Sequence, residues 1–395
     1  MKINYVELKN PITPINQDHS NTFLSDIESA GGFLLEKSEI SNFSQSDFCV
    51  IFIMTGGTEG IFLENFEIFS SKSCYLLTSG ESNSLAASME ILSYLKSRGY
   101  KGEILHGDAK RIAERINSLY RTEKTLRRLN GMRVGTIGGS SNWLIDSEPD
   151  EEAYRNFLGI EMVHISMEEL LAEIHTGGFT PNEWTEKLLS LGYDEKEMKN
   201  SFNVYGAVKR IVEKYNLSAV TVRCFDLLTS VHTTGCLALA ILNAEGIYAG
   251  CEGDMPSLIS MIILGEISQK PVFMCNLNRI DTEKNELIFA HCTLPVNMPY
   301  KMELTTHYES GIGVAIAGSI PEDDFTIFKI SNDLSNCFAA EGKVIENRRD
   351  PNLCRTQIKV SLSHYEYFLT NPIANHHLIC LGRHQKALED FYRNI

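Results

Sequence analysis

The pattern of apolar and polar positions divides the chain into three regions. In the first, short apolar runs such as residues 49–54 and 73–77 alternate with stretches of helical apolar spacing, such as 83–98 and 109–128. Strands that alternate with helices are typical of a parallel sheet covered by helices. We therefore predict an α/β domain over residues 1–130.

A second series of the same kind begins near Gly131. Its apolar runs are again short and separated by helical spacing, which predicts a second α/β domain over residues 131–270. The predicted strands are 132–137, 160–165, 219–225 and 247–251, and the predicted helices are 167–174, 204–215, 234–245 and 256–267.

After Pro271 the helical spacing disappears until residues 385–392. Runs of strands without intervening helices indicate an antiparallel sandwich or barrel, so we predict a β-rich domain over residues 271–395. The predicted strands are 271–275, 286–290, 301–306, 311–318, 325–331, 355–362 and 378–381.

Composition and charge narrow the class of protein. The formal net charge of −15 disfavours binding to nucleic acid, because both surfaces would be negative. The ten cysteines form no Cys-x-x-Cys pair, which is typical of reduced thiols. The first residues lack a signal-peptide pattern, and no apolar stretch is long enough to span a bilayer. We expect a cytoplasmic protein with no nucleic-acid or membrane partner.

The densest polar signal is the segment Cys251-Glu252-Gly253-Asp254, between a predicted strand and an apolar helix. Ligands of open α/β sheets bind beyond the carboxyl ends of the strands. A carboxylate at that position is suited to bind a metal ion or to act as a base. The alternative interpretation is a pair of solvated acids that cap the following helix.

Three histidines lie at the edges of predicted strands. His291 follows one strand and precedes Cys292, while His376 and His377 precede the predicted strand 378–381. Neighbouring residues of a strand point to opposite faces, so only one member of each pair faces inward. Imidazole and carboxylate ligands together suit Mn²⁺, Zn²⁺ or Mg²⁺. Each histidine taken alone also fits a structural role.

Other motifs point to less specific chemistry. The glycine loops at residues 55–60 and 138–141 complete neither a dinucleotide fingerprint nor a Walker motif, so we interpret them as tight turns whose amides are available to a sugar. Cys224, Cys251 and Cys292 lack a recognisable nucleophile motif, which favours buried packing over catalysis.

Several of these segments resemble the L-fucose/L-arabinose isomerase superfamily. The resemblance is carried by Gly250-Cys-Glu-Gly-Asp254, by residues 271–276, by Ala290-His291 and by the late double histidine. Further similar segments lie at 55–59, 83–87, 223–226, 233–236 and 353–357, so the resemblance covers nearly the whole chain. It implies two Rossmann-like α/β domains, a barrel-like C-terminal domain, a monosaccharide substrate and a homo-oligomer.

The resemblance also implies roles for individual residues. Glu252 matches the acid that binds Mn²⁺ and takes part in proton transfer, and His291 matches a metal ligand. Arabinose-type spacing favours His377 as the next ligand, whereas fucose-type spacing is also compatible with His376. Asn276 is a candidate catalytic residue that would hold a metal-bound water or a sugar hydroxyl. The candidate substrate-binding residues are Asn375 and Arg355.

The chain departs from the superfamily at one position of the site. The family has a second acid on the strand that here contains Cys275 and Asn276, neither of which is acidic. The two-acid proton shuttle is therefore incomplete, and affinity for a divalent cation should fall. We predict a metal-dependent aldose–ketose isomerase that works through an enediol, with Glu252 and His291 at one cleft. The alternatives are a sugar-binding or regulatory protein without turnover, and an epimerase.

Overall fold

The structure, a computed structural model, describes residues 1–395 and divides them into two compact units. One comprises Met1–Lys124 with Asn394, and the other comprises Thr125–Arg393 with Ile395. The second unit contains both a parallel sheet and a β-barrel. The division into three domains at residues 130 and 270 stays a prediction.

The first unit is built on a five-stranded parallel sheet in the order β2-β1-β3-β4-β5. Every residue of the strand Cys49–Ile53 is buried, as expected for a parallel strand covered on both faces. The strands are Lys2–Leu8, Leu34–Lys37, Cys49–Ile53, Cys74–Leu77 and Gly102–Leu105 (β1–β5), and the helices are Gln17–Gly31, Glu59–Glu64, Phe66–Phe69, Ser84–Ser97 and Ala109–Leu129 (α1–α5). The residues of α5 after Lys124 belong to the second unit. Short 3₁₀ turns lie at Ile40–Asn42 and Glu81–Asn83.

The second unit begins with a four-stranded parallel sheet in the order β7-β6-β8-β9. The apolar helix Met255–Ser268 (α12), which follows the last of these strands, is buried on nearly all sides. The strands are Arg133–Ile137, Glu161–Ile165, Ala219–Val222 and Tyr248–Cys251 (β6–β9). The helices are Glu151–Ala153, Met167–Thr176, Glu183–Ser190, Glu195–Lys214, Asp226–Ser230, Cys236–Ala244 and Met255–Ser268 (α6–α12), with a π-turn at Tyr154–Leu158.

Six of the last eight strands close into an antiparallel barrel in the order β10-β11-β16-β15-β14-β17. The other two, β12 and β13, form a separate hairpin. The strands are Phe273–Asp281, Glu286–His291, Lys301–Thr305, Ala315–Ser319, Asp324–Ile330, Cys337–Asn347, Thr356–Ser361 and His376–Leu381 (β10–β17). The helices Glu366–Thr370 and Gln385–Tyr392 (α13, α14) flank β17.

The predicted fold class is confirmed: two sets of parallel strands with helices precede a barrel. The strand Cys337–Asn347 was not predicted, because alternation along it is weak and only Ala340 and Val344 are buried. The prediction that both late histidines precede their strand is wrong, since β17 begins at His376. No helix is both long enough and apolar enough to cross a membrane.

Candidate active site

Glu252 lies in a tight turn at the carboxyl end of β9. Its φ of 62° is in the left-handed region, which is strained for a residue with a side chain. Gly253 follows with a φ of 71°, and a Cβ at this position would lie 1.9 Å from the carbonyl oxygen of Gly139. Only glycine fits so close to another backbone. Asp254 then caps α12 by accepting a hydrogen bond from the Ser257 amide, at 2.9 Å.

Two groups from the loop after β6 hold Glu252 in place. The Ser141 amide donates to the Glu252 carbonyl oxygen over 2.9 Å. The indole Nε1–H of Trp143 donates to Oε2 of the Glu252 carboxylate over 2.6 Å. This loop therefore supports the acid.

Glu252, His291 and His376 converge at one point. Each offers a ligand atom, and the three atoms lie within 4.8 Å of one another. Oε1 of Glu252 is 3.6 Å from Nε2 of His376, and the rings of the two histidines are 5.4 Å apart between centroids. The residues come from the ends of β9, β11 and β17, so the parallel sheet and the barrel both contribute.

A buried acid orients His376. Nδ1 of His376 donates to Oδ2 of Asp254 over 2.8 Å, which leaves Nε2 directed at Glu252. Nδ1 of His291 is 2.9 Å from the Thr293 hydroxyl, and when it donates there Nε2 keeps its lone pair. Metal-binding histidines have this arrangement, in which the second nitrogen is hydrogen-bonded to a carboxylate or another acceptor.

The electrostatic environment shifts the pKa values of His376 and His291 in opposite directions. Burial opposes protonation of His376, but the hydrogen bond to Asp254 and the negative charges of Asp254 and Glu252 prevail and raise its pKa to about 9. Burial, with a smaller contribution from His376, lowers the pKa of His291 to about 4. Burial alone would raise the pKa of Glu252, but His376 and Trp143 hold it below its usual value. At neutral pH the cluster is therefore an ionised acid, a charged imidazole and a neutral imidazole.

Two orphaned polar atoms show that this cluster fits a cation. Nε2 of His376 and Oδ1 of Asn276 are buried and have no hydrogen-bond partner. An unpaired buried polar atom is costly, so such atoms call for an occupant. One carboxylate and two imidazoles form a donor set that suits Mn²⁺, Zn²⁺ or Fe²⁺. The residues present thus fit a divalent metal ion.

The cluster opens into a pocket of about 450 Å³, counted together with its mouth. Its polar lining includes Glu252, Asn276, His291, His307 and Glu309. The rest of the lining is dominated by small and apolar residues, with five cysteines: Cys224, Phe225, Leu228, Thr234, Gly235, Cys236, Cys251, Cys292 and Cys354. All ten cysteines of the chain are free.

The register of β17 against β10 decides which neighbouring residues face the pocket. His376 pairs with Asn276, and His377 pairs with Cys275. Side chains of directly opposed residues share a face of the sheet. His377 lies away from the cluster, where its Nε2 accepts a hydrogen bond from the Tyr367 hydroxyl over 3.0 Å. Burial lowers the pKa of His377 to about 3, which keeps it neutral.

The two candidate substrate-binding residues do not line this pocket. Nε and Nη2 of Arg355 donate to the carbonyl and hydroxyl oxygens of Thr306, and its guanidinium lies over the Tyr308 ring. Oδ1 of Asn375 accepts from the His376 amide over 2.8 Å. In the structure both residues support neighbouring backbone.

Sequence reasoning missed three residues around the site. Trp143, His307 and Glu309 belong to loops without a motif, far from Glu252 along the chain. No local signal was present to find them, because only the tertiary fold places these loops at the end of β9.

We expect His376→Gln to weaken Mn²⁺ binding by about 100-fold, and His377→Gln to leave it unchanged. Only His376 reaches the cluster, whereas His377 is satisfied by Tyr367. Because His376 is protonated at pH 7, Mn²⁺ binding to the parent should release about one proton. Calorimetry in buffers of different ionisation enthalpy measures both quantities. Equal losses in the two variants would contradict the assignment.

Asn276→Asp should raise Mn²⁺ affinity by about 10-fold, because a carboxylate is a stronger ligand than an amide oxygen. Cys275→Glu is the matched control, since this side chain is fully buried and its thiol contacts the His377 carbonyl oxygen over 3.5 Å. An acid there should bring no gain in affinity and should destabilise the fold by about 3 kcal/mol or more. Calorimetric Mn²⁺ titration and thermal melting of both variants provide the measurement. A gain in Mn²⁺ affinity only in the Cys275 variant would show that Cys275, and not Asn276, faces the cluster.

The curated proteins that the sequence resembles are all named sulfoquinovose isomerase. No protein-family model matches the chain. The chain is 25% identical over 219 residues to a sulfoquinovose isomerase of Alkalicoccus urumqiensis. These aligned residues make up 53% of this chain and 49% of that protein. It is 23% identical over 265 residues to a sulfoquinovose isomerase of Priestia aryabhattai, covering 63% and 59%. A third, from a Clostridium species, is 22% identical over 242 residues, covering 58% and 54%. The chain thus spans about half the length of the curated relatives that it matches.

Proposed function

We propose that this chain is a metal-dependent aldose–ketose isomerase of a monosaccharide, related to the L-fucose/L-arabinose isomerase superfamily. The observation that carries the proposal is the convergence of Glu252, His291 and His376 within 4.8 Å, next to the unpartnered Oδ1 of Asn276. The relatives named sulfoquinovose isomerase support the same class of reaction. As in the resemblance, the proposal includes a cytoplasmic homo-oligomer.

In this proposal Glu252, His291 and His376 hold a divalent cation such as Mn²⁺. When bound, the cation supplies Lewis-acid polarisation of the sugar carbonyl. Asp254 holds the His376 ring so that Nε2 faces the cluster. The Trp143 indole keeps Oε2 of Glu252 hydrogen-bonded, so the acid cannot rotate freely.

Isomerisation moves one hydrogen between two carbons of an open-chain sugar. Glu252, ionised at neutral pH, takes the proton from C2 of the aldose and delivers it to C1 of the resulting enediol. The Asn276 amide lies beside it and hydrogen-bonds a sugar hydroxyl, for which its unpartnered Oδ1 is an acceptor.

The lining gives no support to a sulfonated substrate in particular. It contains the acids Glu252 and Glu309 but no lysine or arginine. A sulfonate carries a negative charge, which basic side chains recognise best. The proposal therefore concerns a monosaccharide, and sulfoquinovose is one member of the panel to be tested.

The test is isomerisation in D₂O with a panel of D-glucose, L-arabinose, L-fucose and sulfoquinovose. We expect one sugar to be converted with deuterium incorporated beside its carbonyl, only when Mn²⁺ is present and not after treatment with a chelator. Proton NMR follows both changes. The amide at position 276 favours a second candidate, a sugar-binding protein. Sugar binding by calorimetry without conversion or exchange would establish that candidate instead.

A further inference from the structure

The pocket contains a second carboxylate, although the strand β10 lacks the second acid that the resemblance leads one to expect there. Asn276 is the residue of β10 that faces the cluster, and Cys275 contacts the opposite side. An amide can donate a hydrogen bond to a developing alkoxide, but it is too weak an acid to transfer a proton to it and too weak a base to take one back. The strand therefore supplies no second acid. Besides Glu252, the only carboxylate in the pocket lining is that of Glu309.

Glu309 lies on the loop between the hairpin strands β12 and β13, and this loop is held in a defined shape. The His307 amide donates to the Ile312 carbonyl oxygen, and the Gly311 amide donates to the His307 carbonyl oxygen, each over 3.0 Å. The Gly313 amide donates to Oε2 of Glu197 over 3.1 Å. A Cβ at Gly313, whose φ is 64°, would lie 2.6 Å from the Thr234 hydroxyl, so the loop packs closely against its neighbour. Glu309 is thus presented to the pocket by a fixed loop.

The carboxylate of Glu309 has no structural task. Unlike Glu197, which accepts a hydrogen bond from the Gly313 amide, it has no hydrogen bond to another group, and the neighbouring groups act on it through charge. The Glu309 side chain is exposed at the mouth of the pocket, and the desolvation that remains there raises its pKa above the usual value. His307 opposes the increase, and the charges of Glu252 and Cys292 add to it. A raised pKa brings a carboxyl group closer to the operating pH of an acid catalyst.

We propose that Glu309 is the second catalytic acid of the isomerase, which carries protons to and from the sugar oxygens while Glu252 carries the carbon-bound proton. The inference rests on the function proposed above. Glu309 replaces, from a different loop, the acid that is absent from β10.

The proton balance is complete without any further reactant. As Glu252 removes the proton from C2, the protonated carboxyl of Glu309 gives its proton to O1, and the enediol forms. Glu309 then takes the proton from the O2 hydroxyl while Glu252 returns its proton to C1. The C2–H and O2–H bonds break, the C1–H and O1–H bonds form, and both carboxyl groups regain their initial states.

The experiment compares Glu309→Gln with the parent, using the sugar of the panel that the parent converts fastest with saturating Mn²⁺. We expect kcat to fall by about 100-fold, while KM and the Mn²⁺ dissociation constant change by less than about threefold. The decline of kcat with rising pH, where Glu309 in the parent loses its proton, should be absent from the variant. Glu322→Gln, an exposed glutamate in the turn before β14, is the matched control and should retain the parent's values.

A second variant separates chemistry from structure. Glu309→Ala should regain part of its turnover when formate or acetate is added, because a small carboxylic acid fits the space left by the side chain. A merely structural residue would show no such rescue. Turnover of Glu309→Gln near that of the parent, or no rescue of Glu309→Ala, would overturn the inference and leave the isomerase proposal intact. No turnover by the parent with any sugar of the panel would overturn the isomerase proposal, and this inference with it.

Discussion

Glu252→Gln is expected to lower turnover by about 1,000-fold and Mn²⁺ affinity by more than about 10-fold. The amide keeps the shape of the side chain and its contact with the Trp143 indole, but it has neither negative charge nor basicity. It also removes one of the two carboxylates that raise the pKa of His376, which is otherwise about 9. Steady-state kinetics and calorimetric Mn²⁺ titration measure the two effects.

A graded control for this variant is Trp143→Phe. It removes the 2.6 Å hydrogen bond to Oε2 and leaves the acid itself in place. We expect kcat to fall by about 10-fold, far less than in Glu252→Gln, with Mn²⁺ affinity nearly preserved. Circular dichroism confirms the fold of both variants. Parent-like turnover of Glu252→Gln would remove this acid from the mechanism.

Asp254→Asn is expected to lower the free energy of unfolding by about 3–5 kcal/mol, the cost of breaking a buried ion pair. Asp254, Lys329 and His376 have no solvent exposure. Oδ1 of Asp254 lies 3.8 Å from Nζ of Lys329, and its Oδ2 accepts from His376 over 2.8 Å. Neutralising the acid leaves the lysine charge buried without compensation. Urea denaturation of the metal-free protein measures the loss.

The double variant Asp254→Asn/Lys329→Met is the control for this interpretation. It removes the uncompensated charge, and an apolar side chain of similar length fills the space. We expect it to recover about 2 kcal/mol of the loss. A double variant no more stable than Asp254→Asn alone would show that the helix cap, and not the charge, was responsible.

The same network sets the dependence of stability on pH. Burial alone would raise the pKa of Asp254, but Lys329 and His376 hold it well below its usual value, so its contribution is present above about pH 4 and is lost in stronger acid. The pKa of His376 is raised to about 9, so its contribution is present below about pH 6.5 and is lost as the pH rises through 9. The stability difference between parent and Asp254→Asn should therefore be greatest near pH 6 and should shrink towards pH 9.

Much of the fold was accessible from periodicity. The runs at residues 49–54 and 247–251 were predicted as strands and are observed as Cys49–Ile53 and Tyr248–Cys251. Buried parallel strands are short and apolar throughout, so a local window is enough to find them. The strand Cys337–Asn347 escaped prediction because its outer face is partly exposed and carries no clean alternation.

The sequence by itself determined that Glu252 ends a strand, that Asp254 precedes an apolar helix, and that His291 and a late histidine stand at strand edges. These are local properties, which depend only on the spacing and the types of neighbouring residues. Only the tertiary structure decided that His376 and not His377 reaches Glu252, and that Asn276 and not Cys275 faces the pocket. A one-residue shift of register exchanges the two faces of a strand, and the closure of the barrel determines that register. The tertiary structure also brought Glu309 to the pocket and Lys329 to Asp254, because such contacts depend on packing between segments that are distant along the chain.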